Sequence, residues 1–228
     1  MVKREIKAHK YIISLLVSIL IFTTGVLVGE RTNFKQTEEF ASELAERSLD
    51  LDSVQLHTTY VSFLLSQQGF DNTTTCKIIG KSIEADLKLL DKVESKLNYF
   101  ESKDVFGSDY WRLKRDYTQS LFRLYILTET YRQMCGKKIV NILYFYTIPC
   151  DECKVQSEIL SKVQKSYKDD VFVYNFDASL EDKEPLISTL RYVYTVTTFP
   201  TIIIENYTFE GITNEQTLKS VIDKILSS

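Results

Sequence analysis

Two cysteines separated by two residues, Cys150 and Cys153 in "TIPCDECK" (147–154), form the pair best suited to chemistry in this chain of 228 residues. A thiolate is a nucleophile, a metal ligand and, once oxidised, half of a disulfide. A closed zinc site wants four ligands, usually from two such pairs. The remaining thiols are Cys76 and Cys135, each isolated, and the only histidines are His9 and His57. His9 lies in a basic N-terminal flank and His57 reads as a solvated helix residue, so no metal and no cofactor are assigned. Two uses remain for the pair: a working redox centre or a fixed staple.

The elements around the pair decide how it could work. "IVNILYFY" (139–146) is a continuous apolar, β-branched and aromatic run, the pattern of a strand buried on both faces. A helical pattern follows from Cys150 to Tyr167, with Val155, Ile159, Leu160 and Val163 as its apolar side. "VFVYNF" (171–176) reads as a second buried strand, and a strand–helix–strand unit of this length implies parallel pairing with a right-handed crossover. A short helix near 184–194 leads to "TTFPTIIIE", where Pro200 precedes a third strand. "NYTFEG" fits an antiparallel edge strand, and "NEQTLKSVIDKIL" a last amphipathic helix capped by Asn214. The expected order is β-α-β-α-β-β-α, an α/β domain.

At this point the segment from Ile139 to Leu226 resembles the thioredoxin superfamily. The resemblance rests on the element order, on Cys150-Asp151-Glu152-Cys153 at the first strand-to-helix junction, and on "TFPT" with Pro200 opening the third strand. It implies a cis-Pro200 beside the pair, with the Thr198-Phe199-Pro200 segment binding an extended substrate. It further implies a thiol–disulfide oxidoreductase acting on protein thiols or disulfides, in need of a separate redox partner. Physical chemistry supports the division of labour. A free thiol with pKa near 8.5 is mostly protonated at neutral pH, whereas a helix N-terminus turns unpaired N–H groups and a positive dipole end on the sulfur. Cys150 is then the nucleophile, and Cys153, one turn later, the resolving thiol.

The chain also departs from that family. Where thioredoxins carry a buried Asp six residues before the first cysteine, this chain has Tyr144. Pro149 precedes the motif, bulky Phe199 precedes Pro200, and the residues between the cysteines are acidic. Each carboxylate opposes a nearby thiolate by about 1 kcal/mol at 4 Å through water, similar to the helix-end benefit. Cys150 is therefore expected to be less acidic than the thiols of strong oxidases. These departures keep a second reading open: a non-catalytic thioredoxin-like interaction or scaffold protein with a structural CxxC disulfide.

Ahead of the α/β segment the pattern is all-helical, without proline from Phe34 to Cys135. One segment runs over 40–65. A second follows "GFDNTT", with Thr73 or Thr74 as its cap and Cys76, Ile79, Ile83, Leu87, Leu90, Leu97 and Phe100 as its stripe. After "SKDVFGSD" a third carries Tyr110, Leu113, Tyr117, Leu121, Leu124, Tyr131 and Cys135, and Gly136 stops it. Antiparallel helices bring residues equally far from their loop to one height. Cys76 and Cys135 meet that condition and are expected to form a structural disulfide, closing a loop worth roughly 3–4 kcal/mol in chain entropy.

The N-terminus sets the expected compartment. "MVKREIKAHK" is basic, and the uncharged stretch from Tyr11 to Val28 would span roughly 27 Å as a helix, close to a bilayer's hydrocarbon thickness. Its length favours an uncleaved anchor over a signal peptide, and basic residues before it predict a cytoplasmic N-terminus. The expected organisation is a cytoplasmic tail (1–10), a transmembrane signal-anchor helix (11–29), a helical domain of three long helices (30–136) and a thioredoxin-like domain (137–228). The last two would be extracytoplasmic, where disulfides persist, with helices available for self-association. A net charge of −3 gives no electrostatic case for nucleic acid.

Overall fold

The computed structural model describes residues 15–25, 72–103 and 105–227. The chain divides into two units, Met1–His57 and Thr58–Ser228. In the first, residues 15–25 form a helix (α1) with exposed side chains, including Leu16, Leu20 and Phe22. Its threonines satisfy themselves: the Thr23 hydroxyl donates to the Ile19 carbonyl at 2.9 Å and the Thr24 hydroxyl to that of Leu20 at 2.8 Å. Among the described residues, no helix is long and apolar enough to cross a membrane. The rest of the stretch expected to span, 11–14 and 26–29, lies outside the described residues, as does the helix expected over 40–65.

The second unit begins with a helical hairpin, α2 (Asn72–Ser102) and α3 (Ser108–Cys135). Helix α2 starts at Asn72, so Thr73 and Thr74 lie within its first turn instead of capping it. Its buried stripe also differs from the expected one: Val93 joins it, Cys76 and Phe100 are only half-buried, and Leu87 leaves it. Ile79, Ile83, Leu90, Val93 and Leu97 are buried, whereas Leu87 is exposed and Asp86 takes the inward position. Positions 79, 83, 86, 90, 93 and 97 alternate steps of four and three, the rhythm of helices packed along a shallow crossing, and residue 87 falls one step off it. The Asp86 carboxylate stands 3.6 Å from the Arg123 guanidinium of α3, which offsets its burial. Gly136, at φ 62°, takes the left-handed conformation that ends α3, a position suited to a residue without Cβ. Cys76 and Cys135 are joined by a disulfide across the open end of the hairpin, with Cα atoms 5.8 Å apart.

The hairpin lies against a four-stranded sheet of order β2-β1-β3-β4. The strands are β1 (Val140–Tyr146), β2 (Val171–Asp177), β3 (Thr201–Ile204) and β4 (Tyr207–Glu210). Strand β1 pairs parallel with β2, Tyr146 opposite Asp177, and antiparallel with β3, Phe145 opposite Thr201. Strand β4 is the antiparallel edge. Between the strands run α4 (Asp151–Tyr167) and α5 (Pro185–Val193), with α6 (Glu215–Ser227) last. Asn214 caps α6 by accepting the Thr217 N–H at 2.9 Å. Glu184 caps α5 through the Leu186 N–H at 3.1 Å and also accepts from the Gln119 side chain of α3 at 2.7 Å.

The unbroken apolar run of β1 has a direct cause: both of its faces are covered. Val140, Ile142 and Tyr144 pack with Leu160 and Val163 of α4 and Leu218 and Ile222 of α6. Leu143 and Phe145 point the other way, into a cluster with Leu121 and Leu124 of α3 and Ile187 and Leu190 of α5. The same cluster includes Ile79, Ile83 and Leu90 of α2. Hairpin and sheet therefore share one core.

Candidate functional site

The chain leaves β1 at Tyr146, crosses a short turn and enters α4 at Asp151. Cys150 is the residue before the helix, extended at φ −158° and ψ 108°, and its sulfur takes the place of a capping oxygen. The Cys153 N–H donates to the Cys150 Sγ at 3.1 Å. The two sulfurs form a disulfide, with Cα atoms 5.2 Å apart. Cys153 is only 3% exposed, whereas Cys150 is half-buried. An incoming thiolate can therefore reach Cys150 more readily than Cys153, the order of roles expected for attack and resolution. Of the two intervening acids, Asp151 is fully in solvent and pairs with Lys154 at 3.3 Å. The Ile148–Pro149 bond is cis, a feature the sequence reading did not foresee.

Beneath the disulfide sits Tyr144. It is 2% exposed, and its hydroxyl donates to the Cys153 carbonyl oxygen at 2.7 Å. Burial pushes its phenol pKa up, so it stays protonated. Tyr146 stacks on it, ring centroids 5.6 Å apart, and burial raises that phenol as well.

A cavity of about 410 Å³ opens beside the sulfurs, and both Cys150 and Cys153 line it. Its far wall comes from the hairpin: Glu94 and Glu101 from α2, Lys114 and Tyr117 from α3. Sequence reasoning had given these helices only packing duties and missed all four. One signal was available, since Lys114 interrupts the inward face between Leu113 and Tyr117.

Lys114 is the pivot of this wall. Its ammonium lies 2.8 Å from the Asp177 carboxylate at the end of β2, accessible surface being 6% and 2% for the two side chains. It also donates to the Tyr110 hydroxyl at 3.0 Å and stands 3.5 Å from Glu101. Burial alone would lower the Lys114 pKa, but Tyr146, Asp177 and these hydrogen bonds outweigh it and hold the amine protonated. A buried cation with a buried anion and two further acceptors is the arrangement in which such a pair is tolerable. It fixes the hairpin to the sheet at the end that carries the cysteines.

Pro200 is also joined through a cis bond, after Phe199, and it precedes β3. Because Thr201 pairs with Phe145, Pro200 stands at the sheet edge from which the chain departs for Cys150. Pro200 is buried, and Phe199 is half-buried beneath the Arg191 guanidinium, 5.2 Å from its ring centroid. Thr198 is exposed, its carbonyl taken by the Thr201 hydroxyl at 2.7 Å. A CxxC disulfide at the first helix N-terminus, a cis-proline before β3 and the β2-β1-β3-β4 order now stand together.

The fold is thioredoxin-like. No family model matches the sequence, and no curated protein matches it either. Solved structures do match. One is described as a malarial protein, at 26% identity and TM-score 0.33, covering 39% of this chain and 98% of that one. A second is thioredoxin-2, described as a component of malaria parasite protein secretion machinery, at 27% identity and TM-score 0.34, covering 39% and 84%. A third is chloroplastic thioredoxin z, at 18% identity and TM-score 0.35, covering 44% and 90%.

Among the described residues no group of three or more His, Cys, Asp or Glu side chains is placed to hold a metal.

Proposed function

We propose that this protein is a thiol–disulfide oxidoreductase acting on protein thiols or disulfides through Cys150 and Cys153. The observation that carries the reading is the Cys150 sulfur serving as N-cap of α4 while disulfide-bonded to Cys153 one turn on. Reduction would leave the Cys150 thiolate facing the same N–H donor and helix end. In that state it attacks a substrate disulfide, and Cys153 then attacks the mixed disulfide to release product. The exposed Thr198 and the cis-Pro200 turn mark the edge along which an extended substrate would lie.

In the same proposal the uncharged stretch over 11–28 tethers the enzyme to a membrane, with the cysteines on the outer side. The exposed apolar side chains of α1, among them Leu16, Leu20 and Phe22, support it. Alkaline extraction of membranes and protease protection of the N-terminal tail test the tether.

A second reading, a binding module with a fixed disulfide, is favoured by one observation: the Tyr144 hydroxyl engages a backbone carbonyl and leaves the sulfurs alone. Turnover of an insulin disulfide by the full chain in detergent separates the two. The enzyme reading expects activity in the parent and none in Cys150→Ser, with a covalent substrate adduct trapped by Cys153→Ser. Equal rates in parent and Cys150→Ser support the binding module.

A further inference from the structure

Resolution of a mixed disulfide demands that Cys153 lose a proton. Its sulfur belongs to a residue only 3% exposed, and burial opposes the thiolate. The space open to it is the cavity that both cysteines line, so the proton leaves by that cavity.

From β1 come Tyr144 and Tyr146, both kept protonated by burial, and from α3 comes Tyr117, pushed the same way. None can accept a proton at neutral pH. Lys114, also on α3, is a cation locked against Asp177, and Lys154 on α4 is a cation beside Asp151. Neither offers a lone pair. On α2, Glu101 already accepts the Tyr110 hydroxyl at 2.8 Å and stands 3.5 Å from the Lys114 ammonium. One carboxylate remains. Glu94 lines the cavity and reaches solvent at its outer edge, with no hydrogen-bond or ion-pair partner among the described residues. Desolvation, and then the neighbouring charge of Asp91, raise its pKa above the ordinary glutamate value, which brings it nearer to a thiol's.

Resting on the oxidoreductase reading, we propose that Glu94 of the hairpin accepts the Cys153 proton through the cavity that both residues line, during resolution of the mixed disulfide. In that step the Cys153 S–H bond breaks and the proton passes to the Glu94 carboxylate. The thiolate attacks the Cys150 sulfur, the Cys150–Cys153 bond forms, and the bond from Cys150 to the substrate sulfur breaks. The electron pair leaves with the substrate thiolate, which is protonated by water, and Glu94 returns its proton to solvent. Two electrons have moved from the cysteine pair to the substrate. An external thiol reductant restores the pair.

The test reads both half-steps on one full-length protein in detergent. The Cys150–Cys153 pair is reduced, with mass spectrometry confirming that Cys76–Cys135 stays closed, and mixed with one equivalent of 5,5′-dithiobis(2-nitrobenzoate). Attack by Cys150 releases a first thionitrobenzoate; attack by Cys153 releases a second. Glu94→Gln is expected to slow the second release at least tenfold near neutral pH without slowing the first, and to move the second's pH inflection upward. Glu94→Asp is expected to recover part of the rate. The sign is diagnostic. Removing a negative charge makes the Cys153 thiolate easier to form, so a purely electrostatic role predicts acceleration. An accelerated or unchanged second release, or equal slowing of both phases, overturns the proposal. A parent protein that performs the first release and never the second defeats the oxidoreductase reading itself.

Discussion

The Tyr144 hydroxyl donates to the carbonyl oxygen of Cys153, so the residue under the disulfide holds the backbone of the second cysteine and not its sulfur. Removing that hydroxyl in Tyr144→Phe deletes one buried hydrogen bond while keeping the ring packed between β1 and α4. A loss of about 1 kcal/mol is expected in denaturant unfolding, the usual net worth of such a bond. The rate at which Cys153 resolves a mixed disulfide should stay as in the parent. A large rate loss with little change in stability would assign the phenol a chemical role that its geometry does not show.

Lys114 and Asp177 tie the hairpin to the sheet, and their burial makes the pair costly to break on one side. Lys114→Met leaves the buried Asp177 carboxylate without its cation, and a loss of about 3–5 kcal/mol is expected. Adding Asp177→Asn should recover most of it, which separates a stranded charge from lost packing. The pH dependence has a definite sign. The folded lysine pKa is raised above the ordinary 10.5, so its stabilisation is fully present below about pH 10.5 and fades only as pH climbs through the folded value. Urea midpoints of the parent should therefore show no contribution from Lys114 titration between neutral pH and pH 10.

The sheet was readable because its central strands β1 and β3 are covered on both faces and so appear as unbroken apolar runs, and because the helices repeat with a different period. The position of the cysteines at the β1–α4 junction followed from the same change of period. The cavity wall was not readable. Glu94 and Lys114 lie 20 positions apart on two helices; Glu94 looks like an ordinary solvated charge in its own segment, and Lys114 stands out only as a charge beside Leu113 on the inward side. Only the docking of the hairpin on the β1–β2 face brings them to the sulfurs, a tertiary event with no local signature. The swap of Leu87 for Asp86 has a similar origin. A strict count of four from Ile83 points to Leu87, and it is the crossing with α3, carrying Arg123, that selects the alternating three-and-four stripe.

Cys76 and Cys135 close the hairpin at the end away from the Cys150–Cys153 pair, 59 positions apart in sequence. Their bond is expected to stabilise the unit by about 3–4 kcal/mol through the entropy of the closed loop. The double variant Cys76→Ser/Cys135→Ser should lower the melting temperature accordingly. Its Cys150 alkylation rate, measured after reduction under identical conditions, should match the parent's. An equal fall in both would mean that the hairpin transmits strain to the site, since the disulfide itself touches none of the cavity's walls.

Cys150 meets two opposing fields once the pair is reduced. The helix end and the Cys153 N–H at 3.1 Å favour its thiolate, while Asp151 and Glu152, in the first turn, oppose it. Both acids are exposed, and Lys154 stands 3.3 Å from Asp151, so water, salt and the lysine all weaken their effect. Asp151→Asn/Glu152→Gln should accordingly move the midpoint of Cys150 alkylation to lower pH and make the disulfide easier to reduce. Raising the salt concentration should shrink the difference between variant and parent. A shift in the opposite direction would mean that the acids act through α4 geometry, most directly through loss of the Asp151–Lys154 contact, and not through their charge at the sulfur.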